Sequence, residues 1–376
     1  MGTILCDHLP FHVLLRKVRL LVFLLGMACT QVRSQTTPLP ALHLGKGIQV
    51  SGTLDIYYSW NMNFPANHLN TTHDFDAYNS SLLLNLAELG LSKDPNPVGF
   101  EIDGGVGDLY KLISTEEPNG PLRNFLQMFV SYRFKRAHAL QVDFGKFQTS
   151  AGIESAETLS GWNYSRSLLF VYAQPNYHFG LRSEMPLGSH LKVGLQLVNG
   201  WNHVLDVNGW RTIAATSELT FKRWSLFQDY YYGPENISGV LRPRGLYDVT
   251  LIARATDDLK LDVNVDVGYQ RTSVNAATWY GIAGSIQWTP TARFAISPRY
   301  EWFNDPEGFT TGTVQHLQEL TFTGDYGVWR GLVARAEFRL DHSDKALFPR
   351  GAGTRSSQQQ PTAMLSLIAS FGSLGR

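Results

Sequence analysis

Leu259-Lys260-Leu261-Asp262-Val263-Asn264-Val265-Asp266-Val267-Gly268-Tyr269-Gln270 alternates apolar and polar residues without a break. A period of two sends successive side chains to opposite faces of an extended strand, so the leucines, valines and Tyr269 share one face. A helix would scatter Lys260, Asp262 and Asp266 around its whole circumference among the valines. The same alternation returns in Val50, Gly52, Leu54, Ile56, Tyr58 and Trp60 against Ser51, Thr53, Asp55, Tyr57, Ser59 and Asn61. It returns again in Phe294, Ile296, Pro298, Tyr300 and Trp302, and in Leu332, Ala334, Ala336, Phe338 and Leu340.

About sixteen such runs follow one another, at 50–61, 79–92, 98–109, 124–135, 138–147, 176–186, 189–199, 211–222, 224–233, 246–256, 259–270, 278–288, 293–303, 316–324, 329–341 and 362–371. Residues 79–92 alternate poorly, and the faces of Leu82, Leu84 and Leu86 are left open. Many runs reach ten to twelve residues. Soluble strands average about five or six, whereas strands tilted across a bilayer need about nine to eleven. Short connections such as Thr256-Asp257-Asp258 and Thr289-Pro290-Thr291 alternate with long ones at 62–78, 110–123, 148–175, 200–210, 234–245, 304–315 and 342–361. The expected fold is an all-β, transmembrane, antiparallel up-and-down β-barrel of about 16 strands, with short turns at one end and long loops at the other.

Composition agrees. The 376 residues carry 32 basic and 32 acidic side chains, 12% aromatics and only 17% charged residues. Net neutrality argues against electrostatic nucleic-acid binding. A mean hydropathy of −0.15 suits a barrel whose strands alternate between lipid and interior. Tyr57, Tyr58, Trp60, Trp224, Tyr230, Tyr231, Tyr232, Trp279, Tyr280, Trp288, Tyr300, Trp302, Tyr326 and Trp329 lie near strand ends, where aromatic girdles meet the lipid boundary.

At the N-terminus, Arg16, Lys17 and Arg19 precede the apolar run 20–28, which is shorter than the roughly 20 residues of a spanning helix. Residues 1–34 therefore read as a signal peptide cleaved near Ser34, with Val32 and Ser34 at the small-residue positions. Residues 35–47 form an N-terminal segment and 48–376 the barrel. Both cysteines, Cys6 and Cys29, fall in the leader. A lipoprotein box at Cys29 is only partial, because Gly26 stands where Leu is usual. The mature chain has no thiol for disulfide stapling and relies on core burial or sheet closure.

If apolar faces meet lipid, the interior receives Asp55, Glu101, Asp103, Asp143, Lys146, Arg182, Glu184, Arg254, Asp262, Asp266, Arg299, Glu301, Arg335, Glu337 and Arg339 as pore-lining residues. Each Arg or Lys facing lipid near the midplane would cost roughly 2–4 kcal/mol, and so many charges need pairing or water. The reading is a wide, wetted lumen whose acidic excess gives a weak cation preference. The short run at 167–173 is assigned to a loop that folds inward or caps the mouth. Glu154, Glu157, Asn163 and Arg166 in that long loop are placed at a constriction.

No nucleophile elbow, zinc-binding helix or cysteine metal pattern occurs, so no catalytic residue, metal site or cofactor is assigned. Loop histidines such as His68, His73 and His203 read as solvated side chains, and Asp305-Pro306-Glu307-Gly308 as a turn. A barrel enzyme or a soluble exported β protein are the remoter readings.

Several short segments, taken in order, resemble one family. They are Gly52-Thr53-Leu54-Asp55-Ile56-Tyr57-Tyr58; Asn85-Leu86-Ala87-Glu88-Leu89; Asp143-Phe144-Gly145-Lys146-Phe147 with Gly152 and Glu154; Asn163-Tyr164-Ser165-Arg166-Ser167; and Val198-Asn199-Gly200-Trp201. Across 47–371 the layout is similar to that of the OmpL-like outer-membrane porins, β-barrel porin type two. That resemblance implies a passive channel in the outer membrane of a Gram-negative bacterium, passing small hydrophilic solutes or ions, without catalytic residues. Its partners would be outer-membrane lipid and further copies in a homo-oligomer. The alternative function is a non-conducting structural or adhesin-like barrel that works through its surface loops.

Overall fold

A computed structural model describes residues 39–372, apart from 116, 118, 119, 238, 353 and 354. The expected signal peptide, its expected cleavage site and both cysteines lie outside the described residues. In chain order the elements are β1 (Leu42–Gly45), β2 (Ile48–Asn61), β3 (Leu82–Lys93), β4 (Val98–Val106), α1 (Asp108–Ile113), a 3-10 turn (Pro121–Asn124), β5 (Phe125–Arg133), β6 (Gln141–Gln148), α2 (Leu168–Tyr172), β7 (Tyr177–Leu187), β8 (Leu191–Val198) and β9 (Thr212–Thr220). They continue with β10 (Trp224–Ile237), β11 (Val240–Arg254), β12 (Leu259–Arg271), β13 (Ala276–Thr291), β14 (Phe294–Asp305), β15 (Gln315–Trp329), β16 (Leu332–Ser343), β17 (Phe348–Pro349), β18 (Ser356–Ser357) and β19 (Gln359–Phe371).

Strands β2 to β16 pair in sequence order, and β19 follows β16. Pairing of Thr362 with Asn61 through Phe371 with Gly52 joins β19 to β2, which closes a barrel of sixteen antiparallel strands. Closure leaves no unpaired edge within the membrane, the condition a sheet must meet in hydrocarbon. β1 is a short addition on β2, and β17 and β18 form a small hairpin within a loop. No helix among the described residues is long and apolar enough to cross a membrane, so the strands do the crossing.

Each of the sixteen expected runs corresponds to one barrel strand. Along β12, Val263 and Val267 face outward, while Asp262, Asn264, Asp266 and Gln270 are buried inside. β3 explains its irregular sequence: Leu82 and Leu84 are exposed and Leu86 is buried. The register slips where Asp55 pairs with Leu86 but Ile56 with Leu84. Such a bulge lets one strand change which residues face in.

Two expectations need correction. Residues 234–245 are not a long loop. β10 and β11 run on as a ladder, with Glu235 opposite Arg242 and Asn236 opposite Leu241. Nor do all the girdle aromatics face lipid. Trp279 points inward and is buried, as are Tyr57 and Tyr231, whose inward placement the alternation of their own strands predicts, whereas Tyr58, Trp60, Trp224, Tyr230, Tyr232, Tyr280, Trp288, Tyr300, Tyr326 and Trp329 are exposed. Trp279 has room inside because its cross-strand partner is Gly268, where a Cβ would stand 2.1 Å from the indole.

Strands β4 to β9 are 8–11 residues long, against 12–16 for β10 to β16. The short-stranded side is where the connections 107–124, 149–176 and 199–211 leave the wall. Part of their apolar surface is buried in the interior instead.

Candidate functional site: the barrel interior

Residues 149–176 turn away from the wall at the end of β6. The two ends of this loop are tied by Thr149 N donating to Asn176 O at 3.1 Å. Within it, Ser167 caps α2: its Oγ accepts from Phe170 N at 3.0 Å, satisfying one orphan amide of the helix start. Leu168 and Leu169 join a buried cluster with Tyr231, Leu246, Trp279, Phe303 and Leu317 on walls β10 to β15, and with Trp201 from the 199–211 loop. Phe170 joins a different cluster, with Phe75, Leu86, Leu109, Leu126 and Tyr177. That second cluster rests on walls β3, β5 and β7. The five-residue α2 thus ties together apolar packing on both sides of the interior. Full burial of each Leu or Phe contributes about 1.5–3 kcal/mol.

Polar anchors fix the rest of the loop. Arg299 donates from Nη1 to Glu154 Oε1 at 2.8 Å and to Ser165 O at 2.9 Å, while Nε lies 2.9 Å from Glu319 and 3.0 Å from Glu301. Arg335 donates to the carbonyls of Thr158, Gly161 and Asn163 at 2.8–3.0 Å and pairs with Asp325. Arg339 reaches Arg166 O at 2.6 Å and pairs with Asp341. Glu337 accepts the backbone amides of Tyr164 and Ser165 at 2.6 and 3.0 Å. Asp55 accepts from Thr158 Oγ1, Asn85 Nδ2 and Tyr164 O–H at 2.6, 2.8 and 3.2 Å. Guanidinium groups suit this role because their donors form a rigid planar fork.

The four loop residues singled out from sequence are held in three ways. Glu154 and Asn163 touch the wall, Asn163 donating to Ser297 O and Thr323 Oγ1 at 2.9 and 2.7 Å. Arg166 binds the carbonyls of Tyr164 and Ala156, within its own loop. Glu157 accepts from Gln148 at the loop's foot.

The fifteen wall charges are predominantly covered. Asp55, Glu101, Asp103, Asp143, Lys146, Asp262, Asp266, Arg299, Glu301, Arg335, Glu337 and Arg339 are each at most 6% exposed. Water was the expected neighbour; the structure replaces it with protein partners. Asp143 pairs with Arg182 at 2.8 Å, Asp103 accepts from Gln127 at 2.9 Å, and Asp262 accepts from Ser285 N at 3.1 Å. Lys146 donates to Leu122 O at 3.2 Å and lies over the Tyr177 ring. Arg182 is half-buried, and Glu184 and Arg254 are exposed.

His73, read from sequence as a solvated loop side chain, is buried and bridges two carboxylates. Its Nδ1 lies 2.5 Å from Asp76 and its Nε2 3.1 Å from Asp341 of β16. Burial by itself would lower its pKa, but the Asp76 charge and the bond to Asp341 push it up to about 9. The spacing of His73 and Asp76 hinted at the local half of this contact; nothing in the sequence hinted at Asp341. The turn expected at 305–308 is present, with Asp305 accepting from the amides of Phe309, Thr310 and Thr311 at 2.8–2.9 Å. Among the described residues no group of three or more His, Cys, Asp or Glu side chains is arranged to hold a metal.

A closed sixteen-stranded antiparallel barrel with a loop laid across its interior defines the class: an outer-membrane β-barrel of porin type. Residues 47–371 match the family described as "Putative beta-barrel porin-2, OmpL-like", and the chain belongs to that family. Among solved structures, the anion-selective porin from Comamonas acidovorans is similar, with a TM-score of 0.62 at 11% identity, covering 86% of this chain and 99% of that one. The outer membrane channel DcaP of Acinetobacter baumannii gives a TM-score of 0.61 at 10% identity, over 89% and 100% of the two chains. In-vitro folded OmpT of Vibrio cholerae, in its trimer form, gives 0.55 at 9% identity, over 86% and 99%. At such identities the likeness is one of fold. No curated protein matches this sequence.

Proposed function

We propose that this barrel is a passive channel for small hydrophilic solutes or ions in the outer membrane of a Gram-negative bacterium. Its path runs along the inward charges, and loop 149–176 narrows it. The observation that carries this reading is the anchoring of that loop, through Glu154, Asn163 and backbone carbonyls, by Arg299, Arg335 and Arg339 on the inner wall. The reading assigns no catalytic group and no cofactor. Residues 1–34 direct export and are cleaved near Ser34, and the barrel assembles with further copies of itself.

A weak cation preference belongs to the same reading. The three wall arginines already face carboxylates, whereas Asp103 and Asp262 have no ion-paired base among the described residues. Unbalanced negative charge along a pore favours cations.

Conductance of purified, refolded protein in a planar bilayer tests the proposal. Discrete steps, with a reversal potential in a salt gradient that reports cation preference, are expected. A properly folded barrel that leaves the bilayer silent overturns it. That outcome favours the second reading, a non-conducting barrel acting through its surface loops, for which the burial of so many wall charges speaks.

A further inference from the structure

The short turns that close the short-stranded side of the barrel carry charge of one sign. Residues 133–140, joining β5 to β6, include Arg133, Lys135 and Arg136, and residues 221–224, joining β9 to β10, include Lys222 and Arg223. Neither stretch holds an Asp or Glu, nor does the β7–β8 turn between them, 188–190. A backbone bond from Thr220 N to His190 O at 2.8 Å joins two of these turns. All five bases are exposed, and none forms an ion pair among the described residues. Arg133 donates to Gln141 Oε1 at 2.8 Å and Arg223 to Ala255 O at 3.1 Å, both neutral acceptors. On β7 and β9, Glu184 and Glu218 are both taken by Lys192, at 3.4 and 3.1 Å. Acids return on the turns to either side, with Asp94 before β4 and Asp257 and Asp258 after β11, and these bound the patch.

Aromatic rings interleave with the bases. Tyr132 continues the outward row of Val130 and meets Phe134 edge-on, ring centres 4.7 Å apart. Phe221 lies against the rings of both His190 and Trp224, 4.5 Å from each. Tyr132, Phe134, Phe221 and Trp224 are all exposed. Rings so placed on a barrel mark the boundary between hydrocarbon and headgroups. The bases beside them therefore stand at headgroup level on the outside of the wall. That wall is short: β6 and β8 have eight residues each, fewer than the roughly nine to eleven of a strand tilted across a bilayer. A short span draws the headgroups toward its ends, where flanking Lys and Arg side chains reach them.

We propose that Arg133, Lys135, Arg136, Lys222 and Arg223 form a binding patch for the phosphate groups of anionic phospholipids in the periplasm-facing leaflet, the side on which the short turns of such a barrel lie. Guanidinium forks take phosphate oxygens two at a time, and the lysines add point charge. Each base close to a charged membrane surface adds to the attraction, which salt screens beyond a Debye length. A solute in the bore meets the inner face of the wall, whereas these bases adjoin the rings of the outer one. A soluble acidic partner has no use for rings set at the lipid boundary. The patch gathers anionic lipid to one side of the barrel, whether or not the bore conducts.

The test refolds the chain into phosphatidylcholine vesicles that carry spin-labelled phosphatidylglycerol or spin-labelled phosphatidylcholine. Electron paramagnetic resonance then gives the fraction of each label held at the protein surface. Phosphatidylglycerol should associate about threefold more strongly than phosphatidylcholine at low salt, and high salt should remove the excess. The set Lys135→Gln, Arg136→Gln, Lys222→Gln and Arg223→Gln should bring the ratio to about one. The charge-conserving set Lys135→Arg, Arg136→Lys, Lys222→Arg and Arg223→Lys should keep the wild-type ratio. Heat-modifiable migration in gels establishes that each variant is folded. Should the neutralised set fail to fold, Lys222→Gln with Arg223→Gln alone should remove about half of the excess. Equal association of the two lipids with the folded wild-type barrel overturns the patch, and so does a preference that neutralisation leaves unchanged. Binding of the barrel to purified peptidoglycan, lost in the neutralised set and unaccompanied by any lipid preference, assigns these bases to the cell wall and overturns it equally.

Discussion

Arg299 on β14 and Glu154 in the inserted loop meet at 2.8 Å across 145 residues of sequence. The guanidinium is 2% exposed and also serves Glu319 and Glu301. Cutting one partner from such a buried network leaves charges unpaired, at a cost of about 3–5 kcal/mol. Arg299→Met should therefore lower the unfolding temperature in detergent and loosen loop 149–176. Limited proteolysis after mutation should cut within that loop, and single-channel current should become larger or noisier. Wild-type protease resistance and current in the variant would refute the anchoring role.

The pH response of the His73 contact has a definite sign. Its folded-state pKa lies near 9, above the ordinary value of 6.5. The stability it contributes is whole below pH 6.5 and is lost as pH rises through about 9. Asp76 acts at the acid end. Burial opposes ionisation there, but the His73 charge holds its carboxyl below the usual 3.8, so its contribution exists above that pH and fades as pH falls. Unfolding temperatures measured from pH 6 to 10 should fall through the alkaline part of the range. His73→Phe should flatten that fall, and an equally steep decline in the variant would count against the bridge.

Lipid and interior faces should respond oppositely to one charge. Val263 faces outward in the middle of β12, and Val263→Arg should cost roughly 2–4 kcal/mol. Folding yield into vesicles, read by heat-modifiable migration, should drop. Glu184→Arg, at an exposed position on β7, should fold as the wild type does. Equal yields from the two variants would contradict the assignment of faces.

Neutralising interior carboxylates that lack a basic partner should reduce cation preference. The double variant Asp103→Asn with Asp262→Asn is expected to shift the reversal potential in a salt gradient toward zero. Anion selectivity of the unmodified barrel would reverse the electrostatic reading.

Residues 259–270 show what sequence alone determined. Dyad alternation is a local property: Val263 and Asp262 take opposite faces wherever the strand lies, because neighbouring side chains in extended backbone point opposite ways. Repeated through lengths suited to a bilayer, that rule settled the number of strands, their approximate bounds and which residues turn inward. It was blind to Leu86, because a bulge changes facing without changing composition. It was equally blind to Trp279, whose inward position depends on Gly268 across the ladder.

The tertiary structure alone decided what the inward residues meet. Arg335 to Asn163 O, Glu337 to the Tyr164 amide and His73 to Asp341 join positions more than 170 residues apart. No periodicity encodes such contacts, since a loop without repeating pattern is placed by the surfaces that receive it. Barrel closure brings β14, β15, β16 and β2 around those loops, and only then do charges that alternation assigned to a wetted bore acquire protein partners.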